Sequence, residues 1–556
     1  MAGYTSLKDI EKIHKEVHET FLAASLPSLV DSARTRSTSP FPLFSIPYRI
    51  HQLHQLAKLV QDNASAFQEA LHGDLGKPPR EVLMAEVGPV IERSLAAAAQ
   101  VEEWAKTEYV QGVPAWQSEW KARVEKRAKG VVLIISPWNY PMILTFQPLM
   151  GALAAGCCAV IKPSEMVPRF SALLADLVPK YLDSAAYRVV QGAVPEITRL
   201  IELKWDHIFY TGNGRVGRII SAAAAKHLTP LTLELGGKSP VIVDVDTCGD
   251  LELVAKRIIW GKINNAGQIC IAPDYVLIQS SHIPALIQGI KKALDEFFPS
   301  GALSSKDYGR IVTPLHFNRV KSLLERTKGR IVLGGKTGKG GEDAQDRGIE
   351  PTVVVFESLE EAGRDVLLED ELFAPLLPVV GVESVVDALE YVRRRDHPLV
   401  LYAFTNDENL KQYISDSTMS GNLVFNDTFQ QLSVDQLPFG GVGESGHGRQ
   451  TLKYTFDEFV YQRSVVDIPQ SAEPGLQIRY PPTTQANLDF FSVALKREIP
   501  EVKPKPESEV HGVKTAMKTA VPLVNGKGVN DVNGVNGVKG VNDVVVDVKP
   551  VNGTGV

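Results

Sequence analysis

The stretch His207-Ile208-Phe209-Tyr210-Thr211-Gly212-Asn213-Gly214-Arg215-Val216-Gly217 places a short apolar run directly before a glycine-rich turn. The run predicts a β-strand, and residues 216–227 after it have the apolar spacing of a helix. The turn contains the pattern G-x-G-x-x-G, in which small residues let the N–H groups of a helix N-terminus approach a pyrophosphate. A plain tight turn accounts for the pattern equally well. The stretch therefore predicts a strand–turn–helix unit, and a phosphate site only where other residues support one.

Similar units lie on both sides of this stretch. Strands that alternate with helices predict parallel sheets, which bind ligands beyond the carboxyl ends of their strands. The predicted strands of the first series are 131–135, 159–161, 188–191, 207–210 and 231–235, and its helices include 172–182 and 216–227. A second series, from Pro240 to Asn426, has strands near 241–243, 352–356, 376–382, 399–404 and 423–425. We therefore expect two α/β domains with a cleft between them.

The flanking regions give further expectations. Apolar residues at three- and four-residue spacing after Pro47 predict a helix that ends at Gly73, and residues 82–104 predict another. Residues 111–127 mix aromatic and charged side chains and predict an exposed excursion, with which the β-rich segment 459–468 pairs unless it pairs with another subunit. Residues 130–161 carry no charge and are long enough to span a bilayer, but prolines interrupt them. We expect a buried strand, loop and helix there.

The composition excludes several classes of protein. With 556 residues, of which 44% are apolar and 22% charged, the chain is a globular protein of several domains. Its net charge of −6 provides no basic surface for nucleic acid. The four cysteines lack the spacing of zinc ligands or of a disulfide framework, so we expect a reducing compartment and no metal site. The polar N-terminus is not a secretory signal, and the Val-Asn-Gly repeats within 501–556 predict a disordered tail.

Cys270 is the candidate nucleophile. It stands in Asn264-Asn265-Ala266-Gly267-Gln268-Ile269-Cys270-Ile271-Ala272-Pro273, between an apolar helical run and the strand-like residues 275–278. A thiol on the connection between two packed elements suits a nucleophile, because the scaffold positions it while the loop exposes it. The alternative is a buried structural cysteine.

Glu234 is the candidate general base. It ends an apolar strand before two glycines, and burial there would raise its pKa, as a base requires. Two other interpretations stay open. The carboxylate could pair with Lys238 at a domain junction, or it could be the ribose ligand that the glycine pattern expects about twenty residues further on.

Seven segments together resemble the aldehyde dehydrogenase superfamily, in whose order and spacing they occur. They are Pro137-Trp138-Asn139-Tyr140-Pro141, Lys162-Pro163-Ser164-Glu165, residues 212–217, residues 233–240, Gly267-Gln268-x-Cys270, residues 371–375 and residues 438–443. The resemblance extends from about residue 46 to residue 482, and Trp260-Gly261-Lys262 and Arg479-Tyr480-Pro481-Pro482 are similar to the class 3, fatty-aldehyde branch, which includes fungal beta-apo-4'-carotenal dehydrogenases. It implies an α/β fold with two doubly wound domains, one Rossmann-like for the cofactor and one catalytic, and a small β bridging element.

The resemblance also implies a role for each matched residue. Cys270 attacks the aldehyde as a thiolate, the Asn139 amide holds the oxyanion, and Glu234 activates the water that hydrolyses the thioester formed from the thiohemiacetal. The cofactor is NAD, with NADP as the alternative, and its implied ligands are Lys162, Glu165, Gly212, Asn213, Gly214, Arg215, Val216, Gly217, Glu371 and Phe373. Plainer alternatives stay open, since Asn139 could cap a turn, Lys162 could be a solvated strand end and Phe373 a core residue.

The implied substrate is a long apolar aldehyde, fatty or apocarotenal, that enters a mouth lined by Tyr140, Trp260 and Phe429. The implied partner is a second copy of the chain in a cytoplasmic homodimer. The transmembrane span of membrane-bound members is missing, so contact with a membrane would be peripheral. A cofactor-independent thiol esterase or acyltransferase and a non-catalytic scaffold are the competing classes.

The implied domains follow the family. The dinucleotide-binding domain takes residues 1–110 and 131–235, the catalytic domain 236–446, and the bridging or oligomerisation element 111–130 and 447–475. A C-terminal helix within 476–500 would cover the substrate entrance, ahead of the tail at 501–556.

Overall fold

The computed structural model describes residues 3–23, 37, 39, 40 and 42–501. The predicted disordered tail, apart from its first residue, lies outside the described residues. The chain divides into one compact unit that ends at Arg479 and a second unit that begins at Tyr480. In the second unit the described secondary structure is the helix Gln485–Ala494, which begins at the cap residue Thr484.

The first unit contains helices that pack on the faces of its sheets, together with shorter helices in the connections. They are α1 (Leu7–Ala23), α2 (Ile46–Asp62), α3 (Ala64–Leu75), α4 (Pro79–Val82), α5 (Gly88–Trp104), α6 (Ile143–Ala155), α7 (Pro168–Tyr181), α8 (Val194–Glu202), α9 (Gly214–Ala225), α10 (Leu251–Ile263), α11 (Ile283–Phe297), α12 (Pro314–Arg326), α13 (Leu359–Ala362), α14 (Val366–Glu369), α15 (Val385–Arg393), α16 (Glu408–Ser417), α17 (Lys453–Phe459) and α18 (Glu473–Leu476). A π-helical turn, Leu83–Val87, joins α4 to α5.

The glycine-rich stretch lies in a six-stranded sheet. Its strands are β3 (Val131–Ile135), β4 (Cys158–Lys162), β5 (Tyr187–Val189), β6 (His207–Thr211), β7 (Leu231–Glu234) and β15 (Gly446–His447). Their order is β15-β7-β6-β3-β4-β5, parallel except for β15. Every residue of β3, β4 and β6 is buried, because the sheet has both faces covered. The predicted parallel sheet is confirmed, and residues 130–161 form the expected strand, loop and helix.

A second, seven-stranded sheet follows along the chain. Its strands are β8 (Pro240–Val243), β9 (Tyr275–Gln279), β10 (Arg330–Leu333), β11 (Thr352–Phe356), β12 (Leu376–Val382), β13 (Val400–Phe404) and β14 (Asn422–Phe425), in the order β10-β11-β12-β9-β8-β13-β14. Only β10 is antiparallel to its neighbour, and it is the strand that the sequence pattern missed, since it is exposed and short. The other strands lie where the alternation predicts them.

A third sheet joins two distant parts of the chain. It contains β1 (Glu108–Tyr109), β2 (Arg123–Ala128) and β16 (Val460–Val465), with β2 antiparallel to both neighbours. Residues 459–468 were expected to pair either with the excursion at 111–127 or with another subunit, and the first pairing is observed. The domain boundaries themselves stay a prediction.

The predicted helix end at Gly73 is wrong. The helix breaks at Asn63, continues through Gly73 and ends at Leu75, where Gly76 adopts the left-handed conformation (φ 60°) that commonly stops a helix. Glycine is needed at position 73 for another reason, because a Cβ there would lie only 2.6 Å from the side chain of Arg169. The residue lets α3 and the start of α7 approach closely.

Candidate active site

The chain turns sharply between α10 and Cys270. Asn265, Ala266 and Gly267 have left-handed φ angles of 46°, 52° and 74°. This conformation costs an alanine roughly 1–2 kcal/mol, so surrounding contacts must hold it. A Cβ at Gly267 would lie 2.3 Å from the carbonyl oxygen of Ala374, and only glycine fits there. Cys270 follows this turn and lies on the loop between α10 and β9, as the sequence predicts.

Gln268 holds this turn in place. Its buried amide Nε2 donates to the backbone oxygens of Asn265 (2.8 Å) and Arg310 (2.9 Å), and its Oε1 accepts from the N–H of Val312 (3.0 Å). These bonds connect the loop that carries Cys270 to the segment before α12. The motif Gly267-Gln268-x-Cys270 contains Gln268, but the sequence pattern alone predicts no function for it. The sequence feature that could have indicated its importance is its position two residues before Cys270, in a segment of small and polar residues.

Cys270 carries a half-buried, free thiol. Burial raises the pKa of this thiol, and the nearby Glu371 and Glu234 carboxylates raise it further, while the N–H groups of Cys270 and Ile271 oppose the shift. The other three cysteines are more deeply buried; they are Cys157, Cys158 and Cys248. Cys270 is therefore the cysteine most accessible to a substrate, and the interpretation as a buried structural cysteine does not fit it.

Asn139 lies on the loop after β3, 4% exposed. Its side-chain Nδ2 donates to the backbone oxygen of Gln268 at 3.1 Å, which places the amide beside the loop that carries Cys270. Its backbone oxygen accepts from Lys77 (2.8 Å) and from the side chain of Asn265 (2.9 Å). The alternative of a turn cap is wrong, because the amide bonds across to another segment of the chain.

Glu234 ends β7 as predicted, with 2% of the residue exposed. Neither carboxylate oxygen has a hydrogen-bond partner among the described residues. Burial raises the pKa of this carboxyl well above its ordinary value, Glu458 adds to the shift and Arg449 opposes it. The alternative of a pair with Lys238 is wrong, since the Lys238 ammonium lies 2.8 Å from Asp274 instead. Glu234 is thus a buried acid with a raised pKa and no hydrogen-bond partner among the described residues.

The parallel strands bring several polar residues to one edge of the six-stranded sheet. In the register, Ile135 lies opposite Lys162 and Tyr210, and Thr211 lies opposite Glu234. The hydroxyls of Ser136 and Thr211, directly after β3 and at the end of β6, are buried without a hydrogen-bond partner in the described part of the chain. Unsatisfied buried hydroxyls at the carboxyl ends of parallel strands are available to a ligand.

Lys162 and Glu165 face each other at this edge. The Lys162 ammonium lies 2.6 Å from the Glu165 carboxylate, and Lys162 is only 4% exposed. The alternative of a solvated strand end is therefore wrong for Lys162. At the end of β4 the pair therefore provides a buried cation, Lys162, and an anion that is more exposed, Glu165.

The glycine-rich turn opens α9. Asn213 caps the helix, because its Oδ1 accepts from the N–H of Val216 (3.0 Å). A Cβ at Gly212 would lie 2.2 Å from the Tyr210 hydroxyl, and one at Gly217 would lie 3.2 Å from Leu235. The glycines therefore pack the turn against β6 and the chain after β7. Asn213 and Arg215 are exposed, while Gly214 and Val216 are partly exposed.

Glu371 reaches back over Gly236. A Cβ at Gly236 would lie 2.4 Å from one Glu371 carboxylate oxygen, and the other oxygen lacks a hydrogen-bond partner within the described residues. Burial, with Asp274 as the next cause, raises the pKa of Glu371 to about 8, against the opposing N–H of Gly237 and the ammonium groups of Lys238 and Lys262. Sequence reasoning missed this cluster, because its members are far apart in the chain.

Phe373 is half-buried and has a left-handed φ of 47°. Its ring meets Trp138 edge to face at 5.3 Å, and Trp138 meets His316 at the same distance. Left-handed backbone is rare for an aromatic residue and concentrates at functional sites. The alternative of an ordinary core residue fits Phe373 poorly.

Three aromatic residues, Tyr140, Trp260 and Phe429, are those expected at the substrate mouth. The rings of Trp260 and Phe429 meet edge to face at 5.6 Å, and both are half-buried. Tyr140 is 9% exposed and donates to Glu81 (2.7 Å), and Cys270 contributes to its raised pKa. The Tyr402 hydroxyl donates to the backbone oxygen of Ile271 (2.7 Å).

Two searches of the described residues were negative. No helix among them is both long and apolar enough to cross a membrane. No group of three or more His, Cys, Asp and Glu side chains in the described ranges is arranged to hold a metal ion.

The fold is an α/β fold with two largely parallel sheets, and its candidate site contains a free thiol, an amide and a buried carboxyl. The profile of the aldehyde dehydrogenase family matches residues 11–465, so the chain belongs to that family and is an aldehyde dehydrogenase. It is 41% identical over 439 residues to the dimeric NADP-preferring aldehyde dehydrogenase of Canis lupus familiaris, covering 79% of this chain and 94% of the relative. It is 40% identical over 443 residues to aldehyde dehydrogenase family 3 member A2 of Pongo abelii, covering 80% and 88%.

The solved structures agree with this assignment. The substrate-bound state of Staphylococcus aureus AldH superposes with a TM-score of 0.78 at 35% identity and covers 87% of this chain and 99% of that chain. PnpE in complex with nicotinamide adenine dinucleotide has a TM-score of 0.71 at 24% identity, covering 83% and 90%. The second likeness shows the fold alone.

Proposed function

We propose that this aldehyde dehydrogenase oxidises a long apolar aldehyde, fatty or apocarotenal, to its acid with NAD or NADP, through a thioester on Cys270. The observation that carries the proposal is the position of the half-buried Cys270 thiol. Its loop is held by hydrogen bonds from Gln268 and from the Asn139 amide, and the unpaired Glu234 carboxyl is close enough to raise the pKa of the thiol. A nucleophile, an oxyanion donor and a base are the three groups that such chemistry requires.

The first step uses Cys270 and Asn139. The thiolate attacks the aldehyde carbon, and the carbonyl oxygen becomes an oxyanion as the thiohemiacetal forms. One Asn139 N–H bonds to Gln268, which orients the amide so that its second N–H is available to that oxyanion. The Cys270 backbone N–H would be the second donor. An oriented donor of this kind is worth about 3–4 kcal/mol in the transition state.

The residues present fit a dinucleotide. The N-terminus of α9, with its glycine-rich turn, suits the pyrophosphate, and Lys162 and Glu165 suit the adenosine ribose. The unsatisfied oxygen of Glu371 suits the nicotinamide ribose, and Phe373 suits the ring. The buried hydroxyls of Ser136 and Thr211 are further available partners. When bound, the nicotinamide supplies the hydride acceptor that thioester formation requires.

Glu234 would complete the reaction. Its raised pKa makes it a stronger base than an ordinary carboxylate, since an acid that resists ionisation binds a proton more readily. It would take a proton from the water that attacks the thioester, which releases the acid and restores the thiol. A positioned base contributes about 10²–10⁴-fold.

The proposal of a long apolar substrate has two supports. Tyr140, Trp260 and Phe429 supply aromatic side chains, of which the rings of Trp260 and Phe429 are in contact, and the Pongo abelii relative belongs to family 3, the branch that the sequence resembles. A cofactor-independent thiol esterase is the alternative. Glu371 and Phe373, which would have no use in a hydrolase, favour the dehydrogenase.

One assay tests the proposal against this alternative. Absorbance of the reduced nicotinamide is followed with decanal and with an apocarotenal, for the wild type and for Cys270→Ala. We expect reduction by the wild type with at least one aldehyde and none by the variant. Ester hydrolysis without nicotinamide reduction would instead establish the esterase, and a series of aldehydes of rising chain length would locate the preferred substrate.

Assembly and location extend the proposal. The canine relative is named dimeric, and we propose that this enzyme is also a homodimer and that it is cytoplasmic. In the helix Gln485–Ala494, Phe490 and Val493 are 54% and 69% exposed, which supports a peripheral contact with a membrane surface. Light scattering at micromolar concentration tests the dimer. Sedimentation with neutral liposomes tests the membrane contact, and Phe490→Ser/Val493→Ser should reduce binding.

A further inference from the structure

A fully buried ion pair lies behind Asn139. The Lys77 ammonium and the Glu86 carboxylate are 2.6 Å apart, and both side chains are completely shielded from solvent. Lys77 also donates to the backbone oxygen of Asn139 at 2.8 Å. The second oxygen of Glu86 accepts from the N–H groups of Met142 (2.8 Å) and Ile143 (3.3 Å). The pair therefore bonds to both ends of the segment 139–143.

Glu81 connects that segment to the loop that carries Cys270. One of its carboxylate oxygens accepts from the Tyr140 hydroxyl at 2.7 Å, and the other accepts from the N–H of Asn265 at 3.2 Å. The Asn265 side chain in turn donates to the backbone oxygens of Asn139 (2.9 Å) and Gln268 (3.2 Å). Residues 77–86, 139–143 and 264–268 thus form one hydrogen-bonded unit.

A stability role alone explains this unit poorly. Burying two charges costs as much as their attraction returns, so replacing such a pair with apolar residues is often neutral for stability. What a satisfied buried network does provide is a single geometry. That geometry matters here, because the left-handed turn at 265–267 is costly and must be held by its neighbours.

We propose that Lys77, Glu81 and Glu86 are positioning residues that fix the Asn139 amide relative to Cys270. None of the three is among the groups assigned to the substrate or the cofactor. Lys77 acts through Asn139, Glu81 through Tyr140 and Asn265, and Glu86 through Lys77 and the N–H groups of Met142 and Ile143. The proposal rests on the oxyanion role of Asn139 proposed above, and a displacement of about 1 Å at such a donor can cost on the order of 10²-fold in rate.

A mutant cycle tests the proposal. The variants are Lys77→Met/Glu86→Gln, Asn139→Ala and the triple combination, assayed by nicotinamide reduction with decanal. We expect Asn139→Ala to lower kcat about 10²–10³-fold and Lys77→Met/Glu86→Gln about 10–100-fold, with the KM for the cofactor unchanged. The triple variant should be no slower than Asn139→Ala, because the pair has no other route to the reaction. Lys256→Met/Glu296→Gln, the same substitutions in an exposed pair, should keep full kcat.

The outcomes are distinguishable. If the losses multiply in the triple variant, the pair acts elsewhere and the positioning role is refuted. If Asn139→Ala itself loses little, the oxyanion role fails instead. Should Lys77→Met/Glu86→Gln not fold, Glu81→Gln decides by the same cycle, since it keeps the side-chain volume and removes one of two acceptors. Unchanged kcat in a folded Glu81→Gln would then overturn the proposal.

Discussion

At the scale of single residues, the most informative group is the Cys270 thiol. Its pKa is raised by burial and by the Glu371 and Glu234 carboxylates, so the thiolate fraction of the cofactor-free enzyme is small near neutrality and grows with pH. We expect the rate of alkylation by iodoacetamide to rise about tenfold per pH unit between about pH 7 and pH 9, without a plateau. Peptide mass spectrometry of the wild type and of Cys270→Ser checks this. A plateau below pH 8 would contradict it.

Glu234 is the second residue-scale test. Glu234→Gln should keep the affinity for the cofactor and lower steady-state turnover about 10²–10⁴-fold, because acylation proceeds while hydrolysis lacks its base. Intact-mass analysis after quenching should show the acylated enzyme, which Glu296→Gln, an exposed control, should not accumulate. Loss of cofactor binding would support the other interpretation of Glu234, as a ribose ligand.

Glu165 bears on the choice of cofactor. Its carboxylate would repel the 2′-phosphate of NADP, and its pairing with Lys162 withholds that cation. Glu165→Gln should therefore raise the ratio of kcat/KM for NADP to that for NAD about tenfold or more, since one like-charge contact near a surface is worth on the order of 1–4 kcal/mol. Initial rates with both cofactors measure the ratio. A ratio that falls would place the carboxylate elsewhere.

At the scale of elements, the left-handed turn after α10 decides where the thiol lies. Gly267→Ala adds backbone strain and places a Cβ 2.3 Å from the oxygen of Ala374. We expect a loss of more than about 3 kcal/mol in unfolding free energy. Gly112 is a matched control, with a φ of 72° and no atom within 4 Å of a Cβ, so Gly112→Ala should cost only about 1 kcal/mol. Urea unfolding compares the two, and equal losses would exclude the clash.

At the scale of the whole molecule, every residue proposed for the chemistry lies between Lys77 and Phe429. A chain that ends at Glu501 should therefore keep the kcat and the cofactor KM of the full chain. A chain that ends at Ser445 should not fold, because it loses β15, whose Gly446 lies opposite Glu234 in the sheet, and β16, the partner of β2. Expression, circular dichroism and the nicotinamide assay compare the three chains. Lost activity in the chain ending at Glu501 would show that the last residues contribute.

Local pattern predicted much of this molecule. The alternation of apolar strands and amphipathic helices located the parallel strands, because fully buried strands are continuous apolar runs and helices repeat at 3.6 residues. The motifs placed Cys270 on a loop and Glu234 at a strand end for the same reason, since both positions follow from the neighbouring elements. The prediction that the helix ends at Gly73 was wrong, because the glycine makes room for the side chain of Arg169, more than ninety residues away, and does not end its own helix.

Only the tertiary structure decided the partners of the polar residues. From the sequence, Lys238 was a possible partner for Glu234. In the structure Lys238 forms an ion pair with Asp274, and the Glu234 oxygens have no hydrogen-bond partner among the described residues. The network of Lys77, Glu81 and Glu86 was likewise not predictable, because its bonds between segments join residues that are 56 to 184 positions apart. Periodicity records which face of an element is buried. Which buried groups meet depends on how the elements pack, and that determines each pKa at the site.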